Sequence, residues 1–189
     1  MNIAVYSGSF NPLHIGHLAI MKNLVQVSGF DMVYLIVSPK NPLKDSIRSD
    51  SAIDRYNAAV EAVRRHFTDT PHPVVKADDI ELNMPEPHYT IRTLKALKER
   101  EPHNSFTLIM GADNLAGIRR WRSYSEILTD FGIAVFPREG FDCIKTKQDL
   151  LNENPAYNIR LLEAPLVTVS SSQIREAISR GDDVSDLLM

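Results

Sequence analysis

Apolar, largely β-branched runs at Ile3 to Tyr6, Met32 to Val37, Val74 to Lys76, Phe106 to Met110 and Ile133 to Phe136 alternate with stretches whose apolar residues recur at helical spacing. The longest such stretch, about Ser51 to Phe67, puts Ala52, Ile53, Tyr56, Ala59, Val60, Val63 and Phe67 on one stripe, with Ser51 and Asp54 as a capping box at its start. Ile91, Leu94 and Leu97 predict a second helix near Thr90 to Glu99, and Ser123 with Glu126 three residues on predicts the start of a third. Near-continuous apolar strands separated by helices predict an α/β fold: a doubly wound, mostly parallel sheet with helices on both faces. There is no internal repeat or low-complexity tract, and the loops around Pro39 to Asp50 and Pro85 to His88 are too short to be linkers, so a single domain over residues 1–189 is expected.

Composition narrows the function classes. At 189 residues, 43% hydrophobic and 24% charged, the chain has the make-up of an ordinary globular protein, not a disordered or membrane one. No run approaches the ~20 apolar residues of a spanning helix. The N-terminus, MNIAVYSGSF, enters a strand pattern without a basic segment or a cleavable apolar one, so a cytoplasmic location is expected. Cys143 is the only cysteine, which excludes an internal disulfide framework, and no motif around it suggests a nucleophile. A net charge of −3 argues against a nucleic-acid surface, although a small phosphate ligand held by a few local cations stays open. The sequence leaves a homo-oligomer open.

In a doubly wound fold, ligands lie outside the carboxyl ends of the strands, where helix N-termini present free N–H groups to anions. The polar oddities of this sequence fall there. Gly8 to His17 follows the first strand, Pro39 to Lys44 the second, Gly111 to Asp113 the fourth, and Pro137 with Arg138 the fifth; Val169 to Arg175 precedes a late helix. In the first loop, Gly8 and Ser9 let the backbone turn tightly, Pro12 fixes a φ angle and Gly16 opens the side of the coming helix. His14 and His17 should project from its first turn on nearly the same face, where two imidazoles can donate to phosphate oxygens. A structural histidine pair is the plain alternative. A zinc pair would want a further strong ligand, and no Cys or His follows at short spacing, so no protein metal site is expected. Near the other end, Ser170, Ser171 and Ser172 offer hydroxyls at a helix start, with Arg175 on its first turn; an N-cap cluster with a surface arginine is the alternative there.

GSFNPLHIGH near the N-terminus and VSSSQIRE near the C-terminus together resemble the two signatures of the nucleotidyltransferase superfamily. Class I aminoacyl-tRNA synthetases share the first in distant form, but they are much longer and lack the second. PHYTIRTL at Pro87 to Leu94, GADNLAGIRRW at Gly111 to Trp121 and VFPREG at Val135 to Gly140 resemble the bacterial nicotinate-nucleotide adenylyltransferases. The resemblance runs in order from Met1 to about Leu188 and implies a Rossmann-like fold. The implied activity is transfer of AMP from ATP to nicotinate mononucleotide, giving deamido-NAD and pyrophosphate, with Mg²⁺ as cofactor.

It also implies roles. His14, His17, Lys44 and Arg175 would carry catalysis at the phosphates. Gly8, Ser9, Phe10, Gly16, Gly111, Asp113, Ser170, Ser171 and Ser172 would bind ATP, with Asp113 accepting from ribose hydroxyls. Trp121 would stack on the pyridine ring, Tyr89 and Thr90 with amides near Trp121 and Arg122 would receive its carboxylate, and Arg138 would hold a phosphate. N–H donors suit a carboxylate better than a carboxamide, so a preference for the acid is expected. Two departures stand out: Leu43 replaces a histidine that often follows the proline pair in relatives, and the sequence stops at Met189 where they commonly continue into a further helix. Asp78, Asp79 and the Lys98 to Glu101 run read as solvated surface. A phosphopantetheine adenylyltransferase-like enzyme shares the two terminal signatures but leaves PHYTIRTL and GADNLAGIRRW unexplained. A non-catalytic nucleotide sensor leaves the groups aimed at a departing pyrophosphate unexplained.

Overall fold

The computed structural model describes residues 1–39, 51–68, 74–164, 166 and 168–189. Six strands, β1 (Asn2–Gly8), β2 (Met32–Val37), β3 (Val75–Asp78), β4 (Ser105–Gly111), β5 (Ile133–Phe136) and β6 (Ile159–Leu161), pair in parallel in the order β3-β2-β1-β4-β5-β6. The helices are α1 (Ile15–Gln26), α2 (Ala52–Phe67), α3 (Thr90–Arg100), α4 (Ala112–Ala116), α5 (Tyr124–Glu126), α6 (Cys143–Glu153) and α7 (Ser171–Arg180). Strand alternation sorts the core into two clusters. Ile3 and Val5 of β1 face Ile91, Leu94 and Leu97 of α3, with Leu115 of α4 and Leu150 of α6. Ala4 and Tyr6 face Ile20, Met21 and Leu24 of α1, with Ala59 and Ala62 of α2. Helices thus cover both faces of a doubly wound sheet, as the apolar pattern predicts. Among the described residues, no helix is long and apolar enough to cross a membrane.

Several local readings need correction. The buried positions of α2 are Arg55, Ala59 and Ala62, whereas Ile53 and Val60 of the predicted stripe are exposed. The helix is turned because the Arg55 guanidinium reaches inward to backbone carbonyls, and Tyr56, Val63 and Phe67 still pack at the edge of the second cluster. Ser51 does cap α2 by accepting from the Asp54 amide (3.1 Å), but the Asp54 carboxylate takes the Ser51 hydroxyl (2.6 Å), so no reciprocal box forms. Ser123 has φ +53° and makes no side-chain cap; the short α5 runs directly into a π turn, Ile127–Phe131.

Asp78 is buried rather than solvated. It receives both terminal nitrogens of Arg100 (3.0 and 2.8 Å) and Lys76 Nζ (3.3 Å). Burial works most strongly against its charge, yet the bonds and charges of Arg100 and Lys76 together outweigh it and hold the carboxyl below its ordinary range. Glu101, at the end of the run read as surface, accepts from the buried Tyr34 hydroxyl (2.9 Å). β6 and α6 carry no clear signal in the sequence pattern.

Candidate active site

A cleft of about 380 Å³ opens at the carboxyl ends of the strands. Its wall includes Gly8, Ser9 and Phe10 after β1, Ser38 after β2, Glu81 after β3, Gly111 and Asp113 after β4, and Arg138 after β5. The strand order reverses direction between β1 and β4, which is where such sheets leave room for a ligand.

The loop from β1 to α1 is held from several sides. A Cβ on Gly8 would stand 3.1 Å from the Phe10 ring, so a side chain here would press on that ring. Phe10 has φ +44°, a left-handed conformation a bulky side chain adopts at a cost. Its ring is buried edge-on to Tyr6 (5.4 Å between centroids) and to His17 (5.1 Å). Arg55, 5% exposed, donates through Nη1 to the carbonyls of Ser9 (2.5 Å) and Ser38 (2.9 Å), and through Nη2 to that of Pro39 (3.0 Å).

His14 is the N-cap of α1 rather than a first-turn residue, and His17 stands three positions on. Each imidazole accepts a backbone amide at Nδ1: His14 from Gly16 (3.2 Å), His17 from His14 (3.2 Å). The proton of each neutral ring therefore sits on Nε2, which is left as a donor. The rings overlap, with centroids 3.7 Å apart and planes 32° apart. Desolvation, then the nearby Arg138 guanidinium, lowers the His14 pKa to about 4. Desolvation, then His14 and Arg138, holds His17 well below the ordinary histidine value. Both are neutral near pH 7. His17 lines the cleft; His14, 2% exposed, lies behind it, bridged to Leu188.

The start of α7 docks on this same loop. Arg175 Nη1 donates to the Asn11 carbonyl (2.6 Å) and Nη2 to Ser172 Oγ (3.0 Å), while Ser171 Oγ donates to the Pro12 carbonyl (3.0 Å). Ser170 and Gln173 form a capping box, so the Ser170 hydroxyl is engaged in closing the helix. Of Ser170, Ser171, Ser172 and Arg175, only Ser171 reaches the cleft wall.

Gly111 is the N-cap of α4, and Asp113 stands in its first turn. A Cβ at Gly111 would lie 2.3 Å from Asp113 Oδ1 and 3.3 Å from the Arg138 side chain. The glycine thus lets the strand end, the carboxylate and the guanidinium crowd together, with Arg138 Nε 3.8 Å from Asp113 Oδ1.

The cleft wall also takes in His88, Tyr89 and Thr90 at the start of α3, and Arg120, Trp121 and Arg122 after α4. Trp121 is partly buried, with one side packed on the first core cluster. Arg119 points away and is paired with Glu153. The amides of Tyr89 and Trp121 already donate to the carbonyls of Pro87 (3.0 Å) and Ile118 (2.9 Å), which removes two of the donors expected for an incoming carboxylate. The amides of Thr90 and Ile91, in the first turn of α3, have no acceptor within the helix.

The cleft wall thus unites Gly8, Ser9, Phe10, His17, Tyr89, Thr90, Gly111, Asp113, Trp121, Arg122, Arg138 and Ser171 of the sequence-predicted set. His14, Gly16, Ser170, Ser172 and Arg175 support it from behind, and Lys44 lies outside the described residues. Ser38, Arg55, Glu81 and Arg120 were not anticipated. Arg120 alone had a signal available, as the middle of the Arg119 to Arg122 cluster. Among the described residues, no group of three or more His, Cys, Asp or Glu is placed to hold a metal ion.

Comparison with known proteins agrees with this geometry. Residues 5–177 match the cytidylyltransferase-like family. A probable nicotinate-nucleotide adenylyltransferase of Flavobacterium psychrophilum is 37% identical over 191 residues, covering 100% of this chain and 92% of that protein. The corresponding Bacteroides fragilis protein is 34% identical over 95% of this chain and 83% of its own length. The structure of Plasmodium falciparum nicotinic acid mononucleotide adenylyltransferase complexed with NaAD superposes with a TM-score of 0.78 at 20% identity, over 98% of this chain and 87% of that one, which supports the fold. With relatives above 30% identity along its whole length, the chain belongs to the nicotinate-nucleotide adenylyltransferase family.

Proposed function

We propose that the protein transfers AMP from ATP to nicotinate mononucleotide, giving deamido-NAD and pyrophosphate. The observation that carries this reading is the convergence of His17, the Gly8 to Phe10 backbone and the start of α7 at one end of a cleft whose other end holds Trp121 and Tyr89. One end suits a triphosphate, the other an aromatic ring bearing a negative group.

A phosphate oxygen of the mononucleotide attacks the α-phosphorus of ATP. The bond from that phosphorus to the oxygen bridging it to the β-phosphorus breaks, and pyrophosphate leaves. No protein nucleophile is needed, so positioning and charge stabilisation carry the rate. Neutral His17 donates from Nε2–H to the α-phosphoryl oxygen, a donor fixed in advance by its Nδ1 bond to the backbone. His14 stacks behind it and holds its orientation. Ser171, with Arg175 behind it, faces the leaving phosphates, and Asp113 accepts from a ribose. Trp121 stacks on the pyridine ring. Its carboxylate meets the first-turn amides of α3 and the Arg120 and Arg122 guanidiniums, groups that can donate but not accept.

Mg²⁺ belongs to this reading as an ion carried by ATP. It takes oxygen ligands and is held in such sites largely by phosphates and water. The donor set fits that mode: the cleft carboxylates Asp113 and Glu81 stand apart on different strand ends, Asp113 beside Arg138 and Glu81 between two hydroxyls. When bound, the ion neutralises charge on the departing pyrophosphate.

The test is pyrophosphate release from ATP and Mg²⁺ with nicotinate mononucleotide, run beside the nicotinamide form. Faster release with the acid is the expected result. Binding without release would identify a sensor, and equal rates would remove the carboxylate argument.

A further inference from the structure

Ser38 is a crossing point. Its amide donates to the Gly8 carbonyl (2.9 Å) and its carbonyl accepts from Arg55. Its hydroxyl donates to Glu81 Oε2 (2.5 Å). A hydroxyl has one proton, so the contact between Ser7 and Ser38 (3.3 Å) must have Ser7 as donor. On the other side, Thr93 Oγ1 donates to Glu81 Oε1 (2.8 Å). A single directed chain, Ser7 to Ser38 to Glu81 with Thr93 from the opposite side, therefore spans the floor from β1 to α3.

Glu81 is 2% exposed, sits on a 3₁₀ turn (Ile80–Asn83) directly after β3, and forms part of the cleft wall. Among the described residues, no cation pairs with it. A buried carboxylate held by neutral hydroxyls is a costly way to fill a core position. What it provides is two acceptor oxygens on one rigid group, so that two segments can donate to it at once. Those segments carry the groups assigned above to the two different ligands. Ser38 is bonded to the backbone of the Gly8 loop, and Thr93 is one helical turn beyond Thr90.

We propose that Glu81 is a positioning residue that fixes the spacing between the two nucleotide half-sites by bridging Ser38 and Thr93. The inference rests on the function proposed above. In-line attack requires the acceptor phosphate and the α-phosphorus to be held at near-contact distance, and each half-site can bind its own ligand without that registration. Removing the bridge then leaves the separate sites intact and spoils their relation.

The experiment compares the linked dinucleotide with its parts. Glu81→Gln keeps the shape but has one acceptor oxygen, so one of the two hydroxyls loses its acceptor. Its affinity for deamido-NAD should fall at least about tenfold and kcat by a similar factor, while Kd for ATP and for nicotinate mononucleotide measured singly changes by less than about threefold. Thr93→Val should reproduce the pattern and Thr93→Ser should restore near-normal values. Thermal melting of each variant accounts for any unfolded fraction. If wild-type protein binds deamido-NAD and turns over, yet Glu81→Gln weakens all three ligands alike or none of them, the positioning role is overturned alone. If wild-type protein neither binds the dinucleotide nor releases pyrophosphate, the functional reading is overturned and this inference with it.

Discussion

The two ends of the cleft are built differently. At the end formed by the β1–α1 loop, every group is fixed by several partners: Phe10, His14 and Arg55 are buried, and His17 is set by an amide on Nδ1, a stacked imidazole and an edge-on phenyl ring. At the other end Tyr89 is 37% exposed, and Arg120 and Arg122 stand on the surface. Donors that meet charge developing during a reaction gain most from being preorganised in a dry site. Groups that select a substrate need only reach it. The rigid end is thus suited to rate and the open end to recognition.

This contrast can be broken or sharpened by mutation and by pH. The largest effect is expected at the rigid end. His17→Ala should lower kcat by on the order of 10²-fold or more. Its KM for nicotinate mononucleotide should change little; a rise in KM at unchanged kcat would contradict the division. Next, Arg55→Ala leaves three carbonyls without their charged donor and should cost on the order of 3 kcal/mol of stability, read by denaturant unfolding. At the open end, Trp121→Ala should raise KM for the mononucleotide about tenfold, in line with the loss of one stacking surface, with KM for ATP nearly constant.

A further effect is one of pH. His14 titrates near 4 in the fold and near 6.5 when unfolded, and His17 is lowered in the same direction. Between those values the unfolded chain binds protons that the folded one does not, so stability falls as pH drops from about 6.5 toward 4 and is flat in this respect above 6.5. His14→Asn should reduce that slope in urea unfolding at pH 7, 6 and 5, leaving the part due to His17. An unchanged slope would mean that the imidazole is not buried neutral.

How much of this was legible in the sequence depended on the range of the interactions. β2, β4 and β5 could be read because strands buried on both faces are continuously apolar. β6, three residues with an exposed arginine at its centre, offers no such run. The phase of α2 is not legible because a buried arginine looks polar in any hydrophobic pattern, and only the carbonyls it meets, contributed by distant segments, explain its direction. The same holds for Asp78, whose partner Arg100 is 22 positions away. In the site, glycine, histidine and serine clusters at strand ends announced themselves through local turn and cap chemistry. Ser38, Glu81 and Thr93 did not, since nothing near them in sequence distinguishes a bridging carboxylate from a surface one.

The contacts of α7 with the first loop join residues as far as 164 positions apart. On the ribosome, the opening strands and their crossover emerge long before the helix that completes them. Until that helix emerges the first loop lacks its docking partner, and a proteolytic cut before Ser171 would remove these contacts while leaving all six strands in place.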